Sequence, residues 1–250
     1  MIIIKSDQEI ELMRISGHVT GTILKELEDF IKPGISTADI DTFVETNIRK
    51  AGMIPTFLGY GGFPASACVS INEEVVHGIP DKKRILQEGD IVSVDVGSTY
   101  KGYVSDAART YPVGQVSETA AKLMEATKAS FFAGIEYCKV GYRLSDISHG
   151  VQVKAESEGF SVIRDFVGHG VGQQMHEDPQ IPNFGRPGRG PRLAKGMVFA
   201  IEPRICEGTY DVRTLDNDWT VVTLDGKLSA HYENTVVITD GEPQLLTLVE

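Results

Sequence analysis

The chain has 250 residues, 41% of them hydrophobic, enough to bury a sizeable core in one large domain or two small ones. Its 24 basic and 35 acidic residues give a net charge of −11, which argues against a general nucleic-acid binder, DNA above all, because neutralising phosphates needs a basic face. Three cysteines without CxxC spacing support neither a disulfide framework nor a zinc ribbon, and no run reaches the roughly 20 apolar residues of a membrane span.

Ser6 and Glu9 have capping-box spacing, and Ile10, Met13, Gly17, Ile23, Leu24, Leu27 and Ile31 recur at helical intervals up to Pro33-Gly34, so a first helix is expected there. The apolar residues before Lys5 are too few for a signal-peptide core, which together with the cysteine usage points to a reducing, cytoplasmic setting. Thr37 to Lys50 reads as a second helix, stopped by Gly52 and followed by the glycine- and aromatic-rich loop FLGYGGFP. Strand-like segments run from Ala67 to Val113. The order then repeats: helices from about Glu118 to Cys138 and from about Ser145 to Glu158, and strands from Val162 to Leu248. Two helices then strands, twice over, predicts one α+β domain built from duplicated halves, about 1–114 and 115–250.

Residue spacing supports the duplication. Asp95 lies six residues after Gly89, and Glu202 six after Gly196; Asp106 precedes Gly114 by eight, and Glu233 precedes Gly241 by eight. His77 and His176 each stand three residues before a proline, Pro80 and Pro179. Each half thus offers two strand carboxylates and a histidine upstream, as a site between pseudo-twofold halves requires.

Asp95 inside IVSVDVG and Glu202 inside MVFAIEP occupy apolar strands, where an ionised carboxylate is costly unless a cation neutralises it. With the turn centred near Tyr100 and Lys101, Asp95 and Asp106 fall opposite one another on antiparallel strands, and like charges in that position repel. His169 stands between two glycines that permit close backbone approach. One imidazole with several carboxylates suits Mn, Fe, Co or Zn, and four acids exceed what one ion needs, so two carboxylate-bridged ions are expected. Competing signals are poor. GHGVG lacks the third glycine of a dinucleotide fingerprint, His169 and His176 do not have zincin spacing, and no GxSxG segment exists.

Over essentially its whole length the chain resembles the bacterial type I methionine aminopeptidases of the pita-bread fold. The segments that carry the resemblance are KPGIST, CVSINEEVVHGIP, GDIVSVDVG, GHGVG with MHEDPQIPNFG, GMVFAIEP and HYENTVVIT. The resemblance implies an antiparallel sheet inside, helices outside, and metal-dependent removal of the initiator methionine when the second residue is small. It implies that Asp95 chelates one metal, that Asp106 and Glu233 bridge two, and that His169 and Glu202 hold the other. It further implies that Glu202 accepts the proton of the attacking water, and that His77 and His176 bind the scissile amide and stabilise the oxyanion. Tyr60, Phe63, Cys68 and Trp219 match positions of the methionine pocket. Met175 departs from the pattern, in which an aromatic residue commonly precedes this histidine.

A proline-directed peptidase of the same fold is the near rival, though such enzymes usually carry an additional N-terminal domain. A non-catalytic module that binds peptides or RNA is the rival from another class, and such relatives lose metal ligands. The partner expected is the N-terminal methionine of nascent chains, with a monomeric protein. The basic loops KKR (82–84) and GRPGRGPRLAKG (185–196) suit either contact with the ribosome or simple solvation.

Overall fold

The first helix starts where the capping-box spacing places it. The Glu9 amide donates to Ser6 Oγ at 3.4 Å and the Ser6 amide to Glu9 Oε2 at 2.7 Å, satisfying groups that a helix start leaves open. In the computed structural model, which describes residues 1–249, α1 spans Asp7–Phe30 and α2 spans Thr37–Lys50 behind a second capping box, Ser36 and Asp39. In the second half α3 covers Glu118–Ile135 and α4 covers Leu144–Ser157. α3 ends short of Cys138 because the amides of Tyr137 and Cys138 turn back to the carbonyls of Gly134 and Ile135, at 3.1 and 2.9 Å, in tight 3-10-type turns. Cys138 then points into the core.

Each helix pair covers one antiparallel sheet. In the first, Ile91–Tyr100 and Tyr103–Pro112 form a long hairpin whose leading strand also pairs with Ala67–Ile71 and Ile54–Pro55. The second runs in the order Gln244–Leu245, Asn234–Val237, Val198–Ile201, Gly168–Gly170, Glu177–Ile181. Val92, Val94, Val96, Ala107 and Tyr111 pack outward with Leu24, Leu27 and Ile40 of the first helix pair, and Phe199, Ile201 and Val236 with Phe131 and Ile147 of the second. Because side chains alternate along a strand, Asp95, Asp106 and Glu233 are left on the inner faces, where the halves meet.

Two registers matter for the site. The hairpin turns at Lys101 and Gly102, both left-handed with φ of 48° and 83°, the signature of a type I′ turn. Asp95 therefore faces Ala108, and Asp106 faces Gly97. This corrects the expectation of directly opposed aspartates: they are diagonal neighbours on one face, a wider spacing with room for a group between them. In the second half, Ile201 lies opposite Asn234 and Arg204 opposite His231. The same register carries through the break at Glu202-Pro203, so Glu202 falls opposite Glu233, and Pro203 has no amide for the ladder there.

Near the predicted acids the halves join along a short seam, and away from it Glu74–Val76 also pairs with Val221–Thr223 across them. Ala108 and Glu233 exchange backbone hydrogen bonds at 3.4 and 3.0 Å. On one side Thr235 Oγ1 accepts from the Asp106 amide at 2.9 Å and donates to its carbonyl at 2.8 Å; on the other, Thr110 Oγ1 does the same for His231, at 2.8 and 2.9 Å. The reciprocal use of one threonine from each half marks the pseudo-twofold axis.

Candidate active site

Five residues singled out in the sequence converge on this seam. Asp106 and Glu233 are fixed through their own backbones by it, and Asp95 sits two residues along the sheet face from the Asp106 partner, Gly97. His169 lies on the strand Gly168–Gly170 between Val198–Ile201 and Glu177–Ile181. The flanking glycines are required there: a Cβ on Gly168 would stand 2.5 Å from the Ala200 carbonyl oxygen, and one on Gly170 2.2 Å from that of Asp178. His169 Nδ1 donates to the Gly170 carbonyl at 2.9 Å, which leaves Nε2 as the bare nitrogen, 3.3 Å from Glu202 Oε1 and 3.6 Å from Asp106 Oδ2.

Asp95, Asp106, His169, Glu202 and Glu233 are all buried. Removal from water pushes Asp95 and Glu202 up to about 7 against the pull of Arg204, and holds Asp106 and Glu233 well above the carboxylate range, neighbouring acids adding to the effect. Burial also lowers His169 to about 4. Asp95 Oδ1, Asp106 Oδ1 and both Glu233 carboxylate oxygens have no hydrogen-bond partner among the described residues, a costly condition for buried acceptors. Donor atoms of Asp106, His169 and Glu233 lie within 4.8 Å of one another, as do those of Asp95, His231 and Glu233. Clustered, unsatisfied oxygen donors beside a neutral imidazole fit a divalent cation.

A cavity of about 220 Å³ opens onto these carboxylates. Phe57, Phe63, Cys68 and Trp219 form its apolar wall with Met175, and the Phe63 and Trp219 rings meet edge to face at 5.1 Å. Cys68 stands directly across the ladder from Asp95, so the apolar wall abuts the acids. Burial, reinforced by the Asp95 charge, raises the Cys68 thiol well above its usual range, which suits a wall residue and not a thiolate ligand. Tyr60 is half exposed at the mouth, where its hydroxyl meets His176 Nδ1 at 2.8 Å. His77, also on the cavity, has a left-handed φ of 57°, and the Thr220 hydroxyl holds its carbonyl at 3.3 Å. Desolvation brings both His77 and His176 down to about 4, so both are neutral at pH 7.

Four residues of the site escaped the sequence reading as functional positions. Phe57 and Phe166 line the cavity, and Arg204 and His231 stand buried among the acids. Arg204 and His231 lie two residues from Glu202 and Glu233, so strand alternation places them on the same face, the signal that could have found them.

Residues 11–240 match the sequence profile of "Metallopeptidase family M24". The chain belongs to this metallopeptidase family. Within M24 it is 60% identical to the methionine aminopeptidase of Clostridium acetobutylicum, over the full length of both chains. The solved methionine aminopeptidase from Thermotoga maritima superposes with a TM-score of 0.98 at 47% identity, again over the whole of both chains. The prolidase from Pyrococcus furiosus, at 23% identity and TM-score 0.77, covers 99% of this chain and 66% of its own, and shares the fold. These likenesses place the chain with the type I methionine aminopeptidases, and the pita-bread arrangement expected from the sequence is its fold.

Proposed function

We propose that this M24 metallopeptidase removes the N-terminal methionine from peptides and nascent proteins whose second residue is small. The observation that carries the reading is the set of unsatisfied buried carboxylate oxygens around His169 at the floor of an apolar cavity. Asp95, Asp106, His169, Glu202 and Glu233 would hold two divalent ions, with Asp106 and Glu233 shared. When bound, such ions supply Lewis acidity and make water a nucleophile near neutral pH.

The chain's own residues account for the remaining demands. Glu202, poised near 7 by burial, is matched to take a proton from the attacking water and return it to the leaving amine. With the Tyr60 hydroxyl donating to Nδ1, His176 would keep Nε2 as an N–H donor, the form needed to stabilise an oxyanion. His77 faces the same cavity as a neutral imidazole and would bind the scissile amide. Phe63, Cys68 and Trp219, with Phe57 and Met175, would enclose a thioether in a soft apolar wall, while Tyr60 guards its mouth.

No described helix is long and apolar enough to cross a membrane, consistent with a cytoplasmic role among emerging chains. Of the basic loops, Lys82, Lys83, Arg186, Arg189 and Arg192 are exposed, whereas Arg84 is paired with Glu74 and Lys195 with Asp240, each at 2.6 Å, which narrows any ribosome-facing patch to the other five. The test of the activity is release of methionine from Met-Ala-Ser with and without chelator and added Mn or Co. Chelator-sensitive release is expected, and release from an Ala-Pro peptide instead would overturn the assignment.

A further inference from the structure

The four acids and one histidine of the proposed centre leave a buried imidazole nitrogen unaccounted for. His231 is 1% exposed, and its Nε2 has no hydrogen-bond partner among the described residues. That atom lies 3.1 Å from Glu233 Oε2, yet the alignment is not that of a hydrogen bond, since both Glu233 oxygens are also unsatisfied. Its backbone is held in place: the Thr110 hydroxyl accepts from the amide and donates to the carbonyl of His231, at 2.8 and 2.9 Å. A buried imidazole nitrogen within 4.8 Å of oxygens from Asp95 and Glu233 has the grouping of a ligand set.

We infer that His231 is a metal ligand on the Asp95 side of the centre, so that each of two ion positions has an imidazole: His169 beside Glu202 at one, His231 beside Asp95 at the other, with Asp106 and Glu233 shared. The inference rests on the metal-centre reading above and goes beyond it by adding a sixth ligand. Its consequence is chemical. A position bounded by carboxylates alone favours harder ions such as Mg and Mn, whereas an added imidazole moves preference toward Co, Zn and Fe. The two positions of this chain would then have similar, borderline donor sets, and the second ion would be held more tightly than carboxylates alone would hold it.

The experiment loads chelator-treated protein with Co²⁺ and reads ligands and affinity. X-ray absorption of the fully loaded wild type should show about one imidazole per ion, against about one half if His169 alone ligates. Calorimetric titration of His231→Gln should show one of two binding events weakened by about 100-fold or more and the other nearly unchanged, since loss of even an outer-shell partner costs 10–100-fold. His169→Gln should weaken the other event. The spectroscopic count needs no variant, so it stands even where a substitution disturbs folding. One half imidazole per ion, or two binding events both indifferent to His231→Gln, would overturn the inference while leaving the metal centre intact. No Co²⁺ binding by the wild type would overturn both.

Discussion

The guanidinium of Arg204 is ion-paired with Glu202, the same carboxylate whose other oxygen lies 3.3 Å from the bare nitrogen of His169. Arg204 is 4% exposed, donates to the Phe166 carbonyl at 2.9 Å, and faces His231 across the ladder. It is a resident cation among four buried acids. Such a charge offsets their mutual repulsion, and it also competes with any ion for Glu202.

Replacing it separates the two effects. Arg204→Met, with the competitor gone, is expected to bind Co²⁺ more tightly at the Glu202 position, by about tenfold or more for each 1.4 kcal/mol of pairing removed. The metal-free variant should be less stable than the wild type by a few kcal/mol at pH 8 and by less at pH 5, where the acids can protonate instead. Thermal melts with chelator at both pH values, alongside Co²⁺ titration, check this. Unchanged affinity together with unchanged stability would remove Arg204 from the electrostatics of the site.

Metal uptake should release protons. Asp95 and Glu202 are held up to about 7 and Asp106 and Glu233 well above the usual carboxylate range, so the metal-free protein carries protons on these groups below neutrality that a cation must displace. Affinity is therefore expected to rise from pH 5.5 to 7.5. Calorimetry in buffers of different ionisation enthalpy measures the protons released, and a count near zero at pH 6 would contradict the burial argument.

The same shifts set the stability of the metal-free protein. A carboxylate raised on folding contributes stability that is fully present below its unfolded value, about 4, and is lost as pH rises through the folded value, about 7 for Asp95. Asp95→Asn should therefore stabilise the chelator-treated protein at pH 8, by up to a few kcal/mol, and have little effect at pH 4. It should also abolish much of the stabilisation gained on adding metal. Melting curves with and without metal test both halves of the statement.

Thr235→Val preserves side-chain shape but leaves the buried amide and carbonyl of Asp106 without the hydroxyl that serves both. A loss of about 1–3 kcal/mol is expected. Asp106 should be less well placed, so metal affinity should fall with stability; chemical denaturation and Co²⁺ titration read the two.

Tyr60→Phe removes the hydroxyl from His176 Nδ1 at a half-exposed position. Folding should be untouched. A hydrogen bond with a net value of about 1 kcal/mol predicts a five- to tenfold fall in kcat on Met-Ala-Ser, with little change in KM. Equal activity would show that the His176 tautomer does not depend on Tyr60.

Much of this was legible in the chain because burying an acid is expensive. Asp95 between Val94 and Val96, or Glu202 after Ile201, has few structural explanations, and alternation alone puts both aspartates on one face. The register was harder. Placing the turn at Tyr100-Lys101 overlooks that a type I′ turn needs two left-handed residues, which Gly102 and not Tyr100 supplies. Arg204 and His231 were missed because a basic residue in a strand is ordinarily read as exposed, and only the glutamates two residues away reveal that they point inward. The cavity wall was partly visible in the aromatic loop, but Phe166 comes from a remote segment that only the fold brings near.

The threonine seam has a mechanical consequence. In a regular sheet every second pair would exchange backbone bonds directly, whereas here a side-chain hydroxyl is interposed on each side of a single direct contact, Ala108 with Glu233. Along this seam the two backbones therefore meet directly at one point, with longer hydroxyl-bridged links to either side. Glu233 belongs to that point. Its carboxylate is carried by backbone pinned to the other half, and a slip of one residue along the seam would break the direct contact and both threonine bridges at once.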